Sequence, residues 1–178
     1  MNLLSYRPDQ AQEIEALFTK VFSASEGPSE GALVGNLAAE LMATTEKQDL
    51  YGFVAVEQEE IVGCIFFSRL TFGSGISAFL LSPVAVHTAL QGKGIGQQLI
   101  DFGITQLKAE GVELLLTYGD PGFYAKVGFS PIAEATIQAP LPLSAPEGWL
   151  GQSLIGSALE PIKGRPSCVG ALNKPEYW

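Results

Sequence analysis

The segment with the clearest chemical meaning is a glycine-rich run between a predicted strand and a predicted helix, Gln91-Gly92-Lys93-Gly94-Ile95-Gly96. Because glycine has no Cβ atom, backbone N–H groups in such a run can close around an anion. A helix N-terminus adds free N–H groups and the positive end of the helix dipole. The run therefore predicts a site for a diphosphate group. The Lys93 ammonium adds a positive charge beside this site. A lysine in such a loop is solvated by water as readily as it binds a phosphate.

The spacing of these glycines argues against two common nucleotide-binding loops. A dinucleotide-binding loop needs G-x-G-x-x-G, but the third position counted from Gly92 and Gly94 is Gln97. An ATPase-type loop needs Ser or Thr directly after its lysine, whereas Lys93 is followed by a glycine. An ordinary turn explains most isolated G-x-G matches. Three alternating glycines at a helix start favour an anion site instead.

A second segment combines helix-capping residues with a tyrosine. Asp120 followed by a proline predicts a capped helix start, and Gly128 predicts a left-handed helix end, so residues 121–127 should form two helical turns. Tyr124 lies within this short helix, next to Phe123. By residue type alone, a tyrosine in such a place more often fills a core or an interface than performs chemistry.

The elements that must position these segments can be placed from hydrophobic periodicity and residue type. Strands are predicted at residues 2–6, 51–56, 61–70, 76–87 and 112–118, with a turn at 57–60 and a loop at 23–30. Pro83 cannot donate to a strand ladder, so pairing should loosen there. Weaker strand signals occur at 129–143, 153–159 and 167–172. Three helices are predicted by apolar residues at helical spacing. The first is marked by Ile14, Leu17, Phe18, Val21 and Phe22, and the second by Leu33, Leu37, Leu41 and Met42. The third is marked by Ile95, Leu99, Ile100, Ile104 and Leu107.

Composition limits the classes of function. The formal charge of −9 over 178 residues argues against nucleic acid as a partner, since that binding depends on Lys and Arg, and it fits an amine-bearing partner better. The start of the sequence shows no charged segment followed by an apolar run, and no stretch of about 18 consecutive apolar residues is visible. We therefore expect a cytoplasmic protein without membrane contact. The single histidine and the widely spaced Cys64 and Cys168 predict no metal site and no disulfide, only reduced, buried thiols.

Both segments resemble the GNAT superfamily of N-acetyltransferases. Val84-Ala85-Val86-His87 followed by residues 91–96 resembles its coenzyme A-binding motif, (R or Q)-x-x-G-x-(G or A). Residues 119–129 resemble its Y-x-x-x-G-F signature, and their Gly-Asp-Pro start is similar to the YhbS-type branch of predicted N-acetyltransferases. The resemblance covers residues 2–131 and is strongest over 81–129. The run Thr88-Ala89-Leu90 departs from the usual Pro-acid-aromatic sequence, and the proline-rich tail from Pro140 has no clear counterpart.

The resemblance implies an α/β fold in one domain over residues 1–178, with a core at about 1–131 and C-terminal strands and an irregular extension at 132–178. It implies a mixed, mostly antiparallel, twisted sheet that is splayed into a V and flanked by helices. Acetyl-CoA would be the co-substrate, its pantetheine arm paired with residues 84–86 and its pyrophosphate held by the loop amides. The implied cofactor-binding residues are Val84, Ala85, Val86, Gln91, Gly92, Lys93, Gly94, Ile95 and Gly96.

The resemblance also assigns catalytic roles. Tyr124 matches the tyrosine that protonates the departing thiolate, and the N–H group of Val86 would stabilise the thioester oxyanion. The general base stays open between water, His87, Glu30 on the predicted loop, and Asp120, for which helix capping is the stronger interpretation.

The expected reaction is acetyl transfer to a primary amine of a small molecule or peptide. An acyl-CoA sensor without turnover is the alternative, and an interaction domain without coenzyme A affinity is a third class. The final aromatic pair, Tyr177-Trp178, is predicted to be exposed, and a homodimer stays open.

Overall fold

The computed structural model describes residues 1–156 and 158–178. The predicted 153–159 segment includes Ser157, which lies outside the described residues. The strands are β1 (Asn2–Ser5), β2 (Leu50–Glu57), β3 (Glu60–Thr71), β4 (Ser77–Val86), β5 (Leu114–Tyr118), β6 (Ser130–Pro131) and β7 (Trp149–Ser153). The α-helices are α1 (Ala11–Glu26), α2 (Pro28–Thr44), α3 (Ile95–Ala109) and α4 (Pro121–Tyr124).

The strands form a seven-stranded sheet in the order β1-β2-β3-β4-β5-β7-β6. β4 and β5 run parallel, whereas β1 with β2, β5 with β7, and β6 with β7 run antiparallel. The parallel register runs from Ala78 opposite Leu114 to Leu81 opposite Thr117. It ends two residues before Pro83, where the proline predicts weaker pairing. The predicted α/β class with a mixed, mostly antiparallel sheet is confirmed.

The chain divides into two compact units. The first comprises Met1–Phe66 and Pro83–Gly103, and the second comprises Phe67–Ser82 and Ile104–Trp178. In the first unit, the apolar faces of α1 and α2 are buried, as their periodicity predicts. A Cβ atom at Gly31 would collide with the Ser23 side chain, and one at Gly35 with the Thr19 side chain. These two glycines therefore let the helices approach closely.

The predicted loop over residues 23–30 is wrong. α1 continues to Glu26, a single residue separates the helices, and α2 begins at Pro28. Gly27 adopts a φ of 101°, a conformation that other residues rarely accept, and Pro28 supplies the fixed φ that suits a first helical position. Glu30 consequently lies in the first turn of α2, not on a loop.

In the second unit, β5 is buried along most of its length and pairs with a strand that the sequence analysis missed, β7. The predicted strand at 129–143 is reduced to Ser130–Pro131, and residues 167–172 do not form a regular strand. Within the latter, Ser167 forms an isolated bridge with Thr71, and Gly170–Leu172 is a 3-10 turn. Among the described residues of the predicted 153–159 strand, only Ser153 belongs to a strand, as the end of β7.

The prediction that Trp178 is exposed is also wrong. Its indole is buried, donates a hydrogen bond from Nε1 to the Leu172 carbonyl at 2.8 Å, and stacks on Tyr118 with ring centroids 6.1 Å apart. The Trp149 ring contacts the same indole edge-on, with ring centroids 6.2 Å apart. Residues of the irregular tail thus complete the core of the second unit.

Cys64 is buried, as expected, and Cys168 is half-buried. Across residues 1–156 and 158–178, His, Cys, Asp and Glu side chains form no group of three or more that could hold a metal ion. No helix in the same residues is long and apolar enough to cross a bilayer.

Candidate functional site

The glycine-rich segment follows directly from the end of β4. β4 stops at Val86, and the His87 N–H donates to the Val62 carbonyl at 2.8 Å. A 3-10 turn, Thr88–Leu90, then leads into the loop, and His87 Nδ1 accepts a hydrogen bond from the Ala89 N–H at 3.2 Å. The turn therefore occupies one ring nitrogen of His87, one of the three side chains considered as a base.

The Gln91 side chain braces the start of the loop. Its Nε2 donates to the Val86 carbonyl at 3.0 Å, which ties the loop back to the last residue of β4. Val84 and Val86 are half-buried and Ala85 is buried. The predicted contact residues of the strand and the loop thus lie together in the first unit.

The loop backbone alternates in handedness. Gly92 has a φ of 78° and Gly94 a φ of 81°, whereas Lys93 between them is not in the positive region. Such alternation turns successive N–H groups toward one side and forms an anion-binding concavity. A Cβ atom at Gly92 would meet no atom within 4 Å, and one at Gly94 would meet only the Gln98 side chain, at 3.9 Å. The glycines are therefore required by backbone conformation and not by crowding within the protein.

α3 begins at the end of this loop. Its first turn is anchored by the buried side chains of Ile95 and Leu99. The Gln98 N–H donates to the Gly94 carbonyl at 3.0 Å, and the N–H groups ahead of Gln98 are those that a helix leaves without an intrahelical acceptor. With Lys93 exposed beside them, they give this end of the helix the character of an anion site.

Tyr124 lies in the second unit, at the end of α4. The Asp120 carboxylate accepts a hydrogen bond from the Gly122 N–H at 2.9 Å and caps the helix, as the capping interpretation predicts. A 3-10 turn over Ala125–Val127 follows, and Gly128 ends it with a φ of 95° in the left-handed region. The predicted two-turn helix is confirmed, with its second turn in 3-10 geometry.

The surroundings of the Tyr124 ring are largely apolar. Phe123 and Phe129 contact it edge-on, with ring centroids 5.0 Å and 5.8 Å away. The residue as a whole keeps some exposure, but its phenol is desolvated. Burial raises the pKa of Tyr124 to about 12, against a lowering by a hydrogen bond with the Thr117 side chain and with a further rise from the negative charge of Asp120.

Two residues beside Tyr124 were missed by the sequence analysis. Thr117 is fully buried and donates from Oγ1 to the Leu81 carbonyl at 2.7 Å. A Cβ atom at Gly119 would lie 2.7 Å from Cε2 of Tyr124, so only glycine leaves room for the ring. The available signal was a single polar residue at the end of an otherwise apolar strand, Leu-Leu-Leu-Thr-Tyr.

Comparisons with known proteins agree on one family. Residues 48–131 match the family model described as an acetyltransferase (GNAT) domain. The chain is 29% identical to YjhQ of Escherichia coli K12, an uncharacterized N-acetyltransferase. The alignment extends over 150 residues and covers 81% of this chain and 79% of the relative.

Two solved structures share the fold over nearly the whole chain. The first, the GNAT family N-acetyltransferase YhbS of Escherichia coli in complex with CoA, has a TM-score of 0.83 at 24% identity and covers 98% of this chain and 92% of that one. The second, a GNAT family acetyltransferase of Brucella melitensis in complex with acetyl-CoA, has a TM-score of 0.76 at 25% identity, with 97% of each chain covered. The sequence motifs, the strand order and these matches agree: residues 48–131 match a GNAT acetyltransferase domain, and the chain as a whole is similar to N-acetyltransferases of that family.

Proposed function

We propose that this enzyme moves the acetyl group of acetyl-CoA directly to a primary amine of a small molecule or a peptide. The observation that supports it most is the loop at residues 91–96, where two positive-φ glycines and the start of α3 present backbone N–H groups to an anion. Two relatives of the same fold have been crystallised with CoA or acetyl-CoA. We further propose that residues 1–178 act as one domain, since the match to the Escherichia coli structure covers 98% of the chain.

The fit of acetyl-CoA to the loop can be argued from this chain alone. A pyrophosphate needs several N–H donors and space at its oxygens, and the space beside Gly92 and Gly94, where a Cβ atom would stand in other residues, is open. In this proposal the amides of residues 91–96 bind the pyrophosphate, with Lys93 as an additional positive charge. The backbone of residues 84–86 pairs with the pantetheine arm.

The properties of the two cysteine thiols favour direct transfer within a ternary complex over a route through an acetylated enzyme. Burial raises the pKa of the Cys64 thiol well above its usual range, and it also raises the pKa of the Cys168 thiol. A thiol is nucleophilic as its thiolate, so neither residue is activated to take the acetyl group. The amine itself then attacks the thioester carbonyl carbon, a C–N bond forms, and the C–S bond breaks.

The departing thiolate needs a proton, and Tyr124 is the proposed donor. The thiolate of coenzyme A leaves with a negative charge, and we propose that the Tyr124 phenol donates its proton to that sulfur, while the Val86 N–H stabilises the oxyanion. With a phenol pKa of about 12, Tyr124 stays protonated at neutral pH. Against a thiol pKa of about 8.5, complete transfer of this proton would cost about 5 kcal/mol unless the phenolate is stabilised or reprotonated.

The proton of the attacking amine has no assigned acceptor. Asp120 caps α4, His87 uses Nδ1 in the turn after β4, and Glu30 lies in the first turn of α2. Water therefore serves as the default acceptor in this proposal. The net charge of −9 favours cationic or amine-bearing acceptors through long-range attraction.

The proposal is tested by calorimetric titration with acetyl-CoA, followed by a thiol-release screen against small-molecule and peptide amines. We expect binding with a Kd near micromolar and thiol release with one class of amine. Binding without release from any amine would favour the sensor over the transferase. An absence of binding would contradict the proposal.

A further inference from the structure

We infer that His87 is a positioning residue for the loop at residues 91–96: its Nδ1 lone pair caps the turn after β4 and so holds the N–H groups of the loop in the arrangement that binds a pyrophosphate. This role depends on the proposed binding of acetyl-CoA at the loop. It also excludes His87 as the general base, because one lone pair cannot both cap the turn and accept a proton from the amine.

Hydrogen bonds from both the backbone and the side chain fix His87 between β4 and the turn Thr88–Leu90. Its N–H donates to the Val62 carbonyl at 2.8 Å, and its carbonyl accepts from the Leu90 N–H at 2.8 Å. Its side chain accepts from the Ala89 N–H at 3.2 Å. With a φ of −46° and a ψ of 131°, His87 has a non-helical backbone and occupies the N-cap position of the turn.

The turn determines which N–H groups remain for an anion. Within it, the N–H groups of residues 89–91 donate to His87 and to the Thr88 carbonyl. The next N–H group with a backbone acceptor is that of Gln98. Among the described residues, the N–H groups of residues 92–97 have no acceptor, and they are the donors available to a pyrophosphate. Loss of the cap would loosen the segment that leads into these donors.

The hydrogen bond at Nδ1 determines the tautomer of the imidazole. A neutral histidine has one protonated ring nitrogen, and a nitrogen that accepts a hydrogen bond is the unprotonated one. Neutral His87 therefore carries its proton on Nε2. A proton taken from the attacking amine would have to bind at Nδ1, and it would break the hydrogen bond to Ala89. Capping of the turn and general-base catalysis are thus mutually exclusive for this side chain.

The cap acts on binding through the population of the correct loop conformation. Acetyl-CoA binds molecules whose loop N–H groups are aligned, and the apparent Kd rises as the fraction of such molecules falls. Loss of a cap typically shifts such an equilibrium by a factor of about five. The bond changes of the reaction occur at the thioester and the amine. Loss of the cap should therefore raise the Kd for acetyl-CoA and leave kcat at saturating acetyl-CoA unchanged.

The first test is the tautomer of His87 in the wild-type protein without a histidine tag, measured by nitrogen NMR. His87 is the single histidine of the chain, so its ring nitrogens give the only imidazole signals. At a pH where the ring is neutral, we expect a proton on Nε2 and none on Nδ1. A proton on Nδ1 would overturn the inference, whether or not the protein turns over any amine.

The second test compares His87→Ala with His87→Asn. The side-chain carbonyl of asparagine can accept from the N–H group two residues further on, as Nδ1 does here, whereas alanine has no acceptor. By calorimetry, we expect the Kd for acetyl-CoA to rise about fivefold in His87→Ala and to stay within about twofold of wild type in His87→Asn. With the most active amine of the screen, both variants should retain kcat at saturating acetyl-CoA.

Equal Kd values in wild type and His87→Ala would overturn the inference, as would the same weakening in both variants. A large loss of kcat in both variants with unchanged Kd would identify His87 as the general base and contradict the capping role. In each of these cases wild type binds acetyl-CoA, and the proposed function stands. If wild type does not bind acetyl-CoA, the proposed function fails and this inference fails with it. The NMR test needs no variant and stays decisive if His87→Ala does not fold.

Discussion

The loop at residues 91–96 and the surroundings of Tyr124 owe their geometry to different features of the chain. The loop is exposed, and its geometry comes from backbone conformation at Gly92 and Gly94. Tyr124 is held by side chains and by the close approach of Gly119. A glycine is essential in both regions, in the loop because of a positive φ and beside Tyr124 because of a ring.

This difference separates binding from chemistry in the proposed mechanism. Backbone N–H groups recognise phosphates without regard to the acetyl group or the acceptor, so changes in the loop should alter affinity for acetyl-CoA. The phenol acts only as the C–S bond breaks, so changes around Tyr124 should alter kcat. Substitutions in each region can break or sharpen this division.

The largest effect is expected for Tyr124→Phe. Loss of the proton donor should lower kcat about 100-fold or more while the Kd for acetyl-CoA stays within about twofold, because general acids typically contribute factors of this size. Steady-state kinetics with calorimetry would measure both. Tyr6→Phe is the matched control, since it removes a phenol oxygen outside this region. Equal kcat for Tyr124→Phe and wild type would return Tyr124 to a packing role.

A smaller loss is expected for Gly119→Ala. The new Cβ atom must displace the Tyr124 ring, and a shift of the donor should reduce kcat about tenfold with acetyl-CoA affinity retained. Gly73→Ala is the control, because a Cβ atom there meets nothing within 4 Å. If Gly119→Ala weakened acetyl-CoA binding and left kcat intact, the division between the two regions would be wrong.

The smallest effect is expected for Gln91→Leu. It removes the 3.0 Å hydrogen bond that ties the loop to Val86. A loss of about 1 kcal/mol would weaken acetyl-CoA binding about fivefold. Gln106→Leu, on the exposed face of α3, should leave the Kd unchanged. An unchanged Kd in Gln91→Leu would show that the loop keeps its shape without this brace.

The sequence predicted the loop better than the tyrosine region because the relevant information is local in one case and distributed in the other. Glycine spacing and the amphipathic pattern of α3 are visible within one short stretch. The contacts of Tyr124 with Thr117 and Phe129 depend on how α4 and the following turn pack on β5. A lone threonine after three leucines gave no indication of which side chain it would meet.

The same reasoning explains the errors elsewhere. The 23–30 loop was predicted from Gly27 and Pro28, yet those residues also suit the end of one helix and the start of the next. β7 begins directly after a 3-10 turn, Pro146–Gly148, and its pairing with β5 is set by residues distant in sequence. Burial of Trp178 depends on Tyr118 and Trp149, which sequence position does not reveal.

The most direct test of the central claim is calorimetric titration of acetyl-CoA into wild type, Gly94→Val and Gly75→Val. Gly75 and Gly94 have nearly the same φ, 79° and 81°, and neither is crowded, so both variants carry the same backbone strain. We predict that wild type and Gly75→Val bind acetyl-CoA with similar Kd values and that Gly94→Val does not bind detectably. Equal affinity in all three proteins, or a loss shared by both variants, would contradict the assignment of the loop as the acetyl-CoA site.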